Sequence, residues 1–313
     1  MLKIENTKER NLPLICKEHY AGILPTINRV LNGSKLRFNK VIKTEIKKNI
    51  EEIITGSPRE LIILEEKLYK FIFSFRKDKK LIDYELKRIF DYPAFRRWAI
   101  SKKWNPYKLA KRLNTRTCVY CNRQYTFTVD EGSSKITRPQ FDHFFSQENH
   151  PLLALSFYNL IPCCSICNLR KSNKELLLSE YLHPYENEYG ENGIFTWVPK
   201  NYRALVGRSD EMEVKIVTKP NTINGASILK QKDFFKLDEI YTEHSDFVQE
   251  IILKAHISKG QYFKWLRKLF GKGISKEDLY RIAMNNYGEK KTMDKRVLSK
   301  LTFDIAKELN LVM

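Results

Sequence analysis

The chain has 313 residues, 42% hydrophobic, 12% aromatic and 30% charged, which excludes a disordered protein and allows one large or two to three modest domains with their own cores. Its formal charge of +19, from 56 Lys and Arg against 37 Asp and Glu, favours a polyanionic partner such as nucleic acid. The N-terminus lacks the apolar run of a secretory signal, and no stretch reaches the ~20 apolar residues that span a bilayer, so a cytoplasmic protein with no membrane partner is expected.

Residues 1 to 115 hold 27 Lys and Arg against 13 Asp and Glu, most of the net charge. Within them Ile46, Ile50, Ile53, Ile54, Leu61, Ile62, Leu68 and Ile72 recur at three- and four-residue steps, and "TGSP" at 55 to 58 interrupts the run. That period predicts helices separated by a turn. "RRWAISKKWNPYKLAKRLNTR", 96 to 116, carries eight basic residues and no acidic one. Its Trp98, Trp104 and Tyr107 are expected to anchor it to a core rather than to stack on bases. Alternation at "QYTFTV" (124 to 129) and "KITRPQF" (135 to 141), around the turn "DEGSS", predicts two strands. "EMEVKIV" (211 to 217) predicts another, after a loop-rich stretch from His183 to Asp210 and before the turn cluster "KPNTING". From Asp233 onward the pattern is helical, and Leu298, Leu301, Ile305 and Leu309 make a stripe expected to face the protein's own core.

Six Cys occur, four of them as "CVYC" (118 to 121) and "CSIC" (164 to 167). In a reducing compartment such knuckles are metal ligands rather than disulfides, because each tight turn presents two thiolates to one ion. Cys118, Cys121, Cys164 and Cys167 are therefore expected to hold a structural Zn(II), closed to water. Cys163 is a spare that could replace Cys164 but lacks the knuckle spacing, and Cys16 reads as a small buried hydrophobe.

Between the knuckles, "FDHFF" ends a strand, "HPLLALSFYN" is a loop with a short helix, "LIPC" is a strand and "SICNLRKSN" begins a helix. Adjacent side chains on a strand point to opposite faces, so a local distortion is expected to bring Asp142 and His143 to one site. Asn168 and Lys171, three residues apart, share a helix face. Oxygen donors suit Mg(II) or a similar ion, and a neutral His can take a proton from water, so Asp142, His143, Asn168 and Lys171 supply the groups for metal-assisted phosphodiester hydrolysis. His150 and His183 have no partners at ligand spacing.

In "CVYC", "DH", "YNLIPCC" and "CNLRK", residues 118 to 174 resemble the HNH nuclease motif, the ββα-metal fold with a four-Cys zinc site, over about a fifth of the chain. Asn168 stands where many members have a second His, and the Pro often found soon after the Asp-His pair is missing. The resemblance implies an α+β, mainly α protein: a basic helical region (1 to 113), a zinc-braced nuclease core (114 to 185), and a β-hairpin followed by helices (186 to 313). It makes His143 the general base, Asp142 and Asn168 the holders of the catalytic divalent ion, Asn159 the residue that pins the loop and orients His143, and Lys171 a phosphate contact. "TCVYCNRQY", "FDHFF" with "PLLALSFYNLIP", and "KRVLSKLTFDIAKEL" are also similar to HNH proteins of bacterial anti-phage defence that work with an ATPase subunit. The expected function is a DNA endonuclease of such a system. The alternatives are an RNA endonuclease, for example of tRNA, and a non-catalytic zinc module that binds nucleic acid.

Overall fold

A computed structural model describes residues 1 to 311 except 100, 133, 220, 221, 223, 260 and 272. Among the described residues the chain is mainly helical with three two-stranded antiparallel sheets, an α+β protein. It forms two compact units that cut across the three segments read from the sequence.

The first unit comprises Ile4–Thr115 and Thr126–Leu178. Its helices are α1 (Leu12–Asn32), α2 (Lys40–Thr55), α3 (Pro58–Phe75), α4 (Lys79–Ile89), α5 (Tyr92–Arg97) and α6 (Pro106–Leu113). Each starts at an Asn, Asp or Ser whose side chain accepts a free backbone N–H: Asn11, Asn39, Ser57, Asp78, Asp91 and Asn105. At "TGSP" the break is sharp because Ser57 and Glu60 form a reciprocal capping box with Pro58 in the first turn. The apolar period does what it predicts: Ile42, Ile46, Ile50, Ile53 and Ile54 of α2 face Leu61, Leu64, Leu68 and Ile72 of α3 from within one core. Full burial of each such side chain contributes about 1.5–3 kcal/mol.

After α6 come β1 (Val129–Glu131) and β2 (Ser134–Thr137), paired with a register shift beside Val129. The expected strand at 124 to 129 shrinks accordingly, since Tyr125 makes only an isolated bridge to Thr117, and the expected turn at 130 to 134 includes Ser133, outside the described residues. Strands β3 (Gln140–His143) and β4 (Leu160–Cys163) follow, then α7 (Ser165–Lys171). The chain between β3 and β4 holds two 3-10 turns, Pro151–Leu153 and Phe157–Asn159, where one short helix is expected.

The second unit comprises Met1–Lys3, Arg116–Tyr125 and the chain from Ser179 onward. Its hairpin pairs β5 (Gly193–Pro199) with β6 (Met212–Thr218) in unbroken register, around the short α8 (Tyr202–Leu205). β6 coincides with the expected strand, while β5 lies in the stretch read as loop. Helices α9 (Gly225–Phe235), α10 (Leu237–Thr242), α11 (Ser245–Ser258), α12 (Tyr262–Phe270), α13 (Lys276–Met284) and α14 (Ser299–Glu308) complete it. The turn cluster at 219 to 225 includes residues 220, 221 and 223, outside the described residues. In α14, Leu301 and Ile305 are fully buried, so the C-terminal stripe faces the protein's own core, and Asp304 accepts the Phe195 N–H of β5 at 2.9 Å.

His19 sits at the heart of the first unit, fully buried, between the Leu155 carbonyl (2.9 Å from Nε2) and the Trp104 indole N–H (3.1 Å from Nδ1). Trp104 thus serves the core, as expected. Burial lowers the His19 pKa from 6.5 to about 4, against the opposing pull of the Leu155 carbonyl. A folded-state pKa below the unfolded one favours the neutral ring, so this stabilisation is present above 6.5 and is lost as pH falls through 4. Its size is about 3 kcal/mol. Urea unfolding should show wild type losing more stability between pH 6.5 and 4 than His19→Gln, whose side chain does not titrate; equal losses would contradict the assignment.

Candidate active site

The two knuckles are built locally. After Cys118 and Cys121 the chain turns through Asn122 in the left-handed region (φ 50°), and the Arg123 N–H points to the Cys121 Sγ at 3.5 Å. Cys164 caps α7, accepting the Cys167 N–H at 3.4 Å on its Sγ. The Sγ atoms of Cys118, Cys121, Cys164 and Cys167 all lie within 4.8 Å of one another, and all four residues are buried. A tetrahedron with Zn–S bonds of about 2.3 Å has edges of about 3.8 Å, so a small contraction around a metal such as zinc suffices. Cys163 and Cys16 lie outside the cluster, and burial pushes the Cys16 thiol up to about 12, leaving it inert.

Among the described residues β3 pairs only with β4, opposing Phe141 to Pro162, Asp142 to Ile161 and His143 to Leu160, without a bulge. The expected distortion is absent. It is unnecessary because β3 is a short strand with one free edge, and His143 is its last residue. Asp142 and His143 both line a cavity of about 580 Å³ beside that edge. Asn168 of α7 lines it too, its Nδ2 donating to the Gln140 Oε1 at 2.7 Å.

His143 is 8% exposed. Its Nε2 meets the Ala154 carbonyl at 2.9 Å, and its ring packs edge-on against Tyr92 with centroids 4.4 Å apart. Donation from Nε2 leaves the proton off Nδ1, which has no hydrogen-bond partner among the described residues. Burial lowers its pKa to about 4, partly offset by the Ala154 carbonyl and reinforced by Lys171, so the ring is neutral at pH 7.

Asn159 is fully buried and binds no part of the cavity. Its Oδ1 accepts the Phe145 N–H at 2.7 Å, and its Nδ2 donates to the carbonyls of Phe145 (3.1 Å) and Leu153 (2.9 Å). The amide thereby ties both arms of the loop next to Ala154, whose carbonyl orients His143.

Lys171 is placed otherwise than expected. Fully buried, it does not line the cavity; its Nζ donates to the His143 carbonyl and lies 3.8 Å from the Asp142 Oδ1. The helix turns this face inward because α7 packs on β3. Burial leaves the Lys171 pKa lowered, with the nearby Asp142 opposing the shift.

His150 is also more engaged than its spacing suggests, with Glu65 at Nδ1 and Glu175 at Nε2 (2.8 Å). Burial alone would lower its pKa, but these carboxylates outweigh it and leave the pKa raised. His183 accepts the Tyr185 N–H at 3.3 Å on Nδ1.

The cavity's cations come from outside the expected set: Arg96 of α5, Lys135 of β2 and Arg138. The basic count in 96 to 116 pointed to Arg96, whereas reading "KITRPQF" only as a strand hid Lys135 and Arg138. Comparison with protein-family models, curated proteins and solved structures finds no match.

Two outcomes follow. The purified full chain should contain about one zinc per chain by elemental analysis, and Cys167→Ser should lose it; less than about half an equivalent in wild type would contradict the thiolate site. Lys171→Met, which leaves the Asp142 carboxylate buried without its cation, should lower stability by about 3–5 kcal/mol in urea unfolding. An unchanged midpoint would contradict the buried pairing of Lys171 with Asp142.

Proposed function

We propose that the chain is a metal-dependent endonuclease of the HNH type that hydrolyses phosphodiester bonds of nucleic acid, DNA being favoured over RNA. The observation that carries this reading is the β3–β4–α7 unit. Its Asp142, His143 and Asn168 border one cavity, and the His143 Nε2 is committed to Ala154 so that Nδ1 is the basic nitrogen. The four-Cys cluster beside α7 supports the same reading as a structural metal site.

His143 takes a proton from water at Nδ1 as the water attacks phosphorus in line with the leaving 3′ oxygen, giving a 5′ phosphate. The Ala154 carbonyl holds the other ring nitrogen and steadies the imidazolium that forms. Asn159 acts at one remove, by fixing the loop that carries Ala154. Asp142 and Asn168 would hold a divalent ion, for which their oxygen donors fit: Mg(II) uses one or two carboxylates and takes its remaining ligands from water and phosphate. When bound, the ion neutralises charge on the phosphate and the leaving oxygen. Lys171 serves as the buried cation beside Asp142.

The narrower assignment, an effector of bacterial anti-phage defence with an ATPase partner, is supported by the sequence resemblance alone.

Incubating wild type and His143→Ala with plasmid DNA and with structured RNA, in Mg(II) or EDTA, tests the proposal. Wild type should cleave in Mg(II) and not in EDTA, with at least about a 100-fold loss in His143→Ala. Cleavage that survives the substitution would remove His143 from the mechanism, and binding without cleavage by wild type would favour the zinc module.

A further inference from the structure

Asp142 is the one carboxylate lining the cavity among the described residues, with Lys171 3.8 Å away on its buried side. Three cations line the same cavity: Arg96, Lys135 and Arg138. None of the three forms an ion pair among the described residues. Lys135 donates only to the Arg97 carbonyl at 3.2 Å.

Arg138 is the informative member. Its guanidinium lies over the rings of Tyr107 and Phe141, 5.8 and 5.5 Å from their centroids, and donates to the Pro139 carbonyl at 2.6 Å. Those contacts fix its direction. Burial lowers its pKa, and the like charge of Arg96 pushes the same way against Tyr92 and Tyr107. Desolvating a guanidinium beside another cation, with no ion pair among the described residues, costs free energy that a bound anion offsets. Arg is suited to that task because its planar fork takes two oxygens of a phosphate at once.

We propose that Arg96, Arg138 and Lys135 form an anion grip that takes the phosphodiester backbone of a nucleic acid entering this cavity. The grip replaces the phosphate contact that Lys171 cannot make. The inference rests on the nuclease reading for the identity of the anion as a strand presented to His143, while three cations with no ion pair among the described residues suit an anion under any reading. Because the contacts are to phosphate, the grip does not by itself distinguish DNA from RNA.

The test is fluorescence anisotropy with a short labelled DNA and an RNA of the same sequence, using the full chain in EDTA over a salt series. Arg96 is exposed, so Arg96→Ala should fold, and it should weaken binding about tenfold and reduce the salt slope by about 1. Arg138→Lys keeps a charge but loses the fork, and should weaken binding by a smaller factor. The control is Lys264→Ala on α12, exposed and in the other unit, which should change binding little. Equal weakening by Arg96→Ala and Lys264→Ala, or no weakening by either Arg variant, would overturn the grip. Arg-dependent binding by a wild-type chain that cleaves nothing in Mg(II) would sink the nuclease reading and support the grip. The stronger of the DNA and RNA arms names the polymer.

Discussion

One buried amide governs the geometry of the candidate site. The segment from Phe144 to Asn159 leaves β3 and returns to β4 through the interior, and buried backbone groups need partners. Asn159 satisfies three of them at once, at Phe145 and Leu153. The N-terminal helices tie the segment down further: His19 of α1 meets the Leu155 carbonyl, the Ser156 hydroxyl donates to the Ile53 carbonyl of α2, and Glu65 of α3 meets the His150 side chain. The Ala154 carbonyl is left to accept from His143. The first unit's helices are therefore more than a wrapping. They make the loop rigid, and a rigid loop gives His143 one ring orientation.

The charges of this unit are arranged in two layers. Inside, Lys171 and Asp142 compensate each other under the strand, a pair that would be costly to break in either direction. Outside, the cavity wall carries Arg96, Lys135 and Arg138, none of which forms an ion pair among the described residues. The inner pair ties the helix to the hairpin at the edge of the cavity. The outer cations set the sign of what can enter. Such a division explains how a basic chain can present a carboxylate at the cavity without an acidic surface around it.

Where sequence patterns depend on a single element, they were legible. β4 at Leu160–Cys163 and α7 from Ser165 coincide with the readings of "LIPC" and "SICNLRKSN", because a short apolar run and a capping Cys act locally. The helices around "TGSP" follow from a period and a capping box in the same way. Patterns that need a partner failed. "QYTFTV" alternates yet finds no neighbouring strand before Val129, and β5 went unread inside a stretch rich in turn residues, although β6 pairs with all of it.

The amino-acid order by itself determined the helical period, the knuckle spacing that lets four thiols converge, and the positions of Asp142, His143, Asn159 and Asn168 relative to strand and helix. Only the tertiary structure decided that Lys171 turns inward, that His150 lies between two carboxylates, and that Arg96 and Arg138, 42 residues apart, border the same cavity. Spacing constrains side chains one or two turns away, while burial and charge compensation depend on which distant segments pack together. That is why the residues of the motif were readable and their surroundings were not.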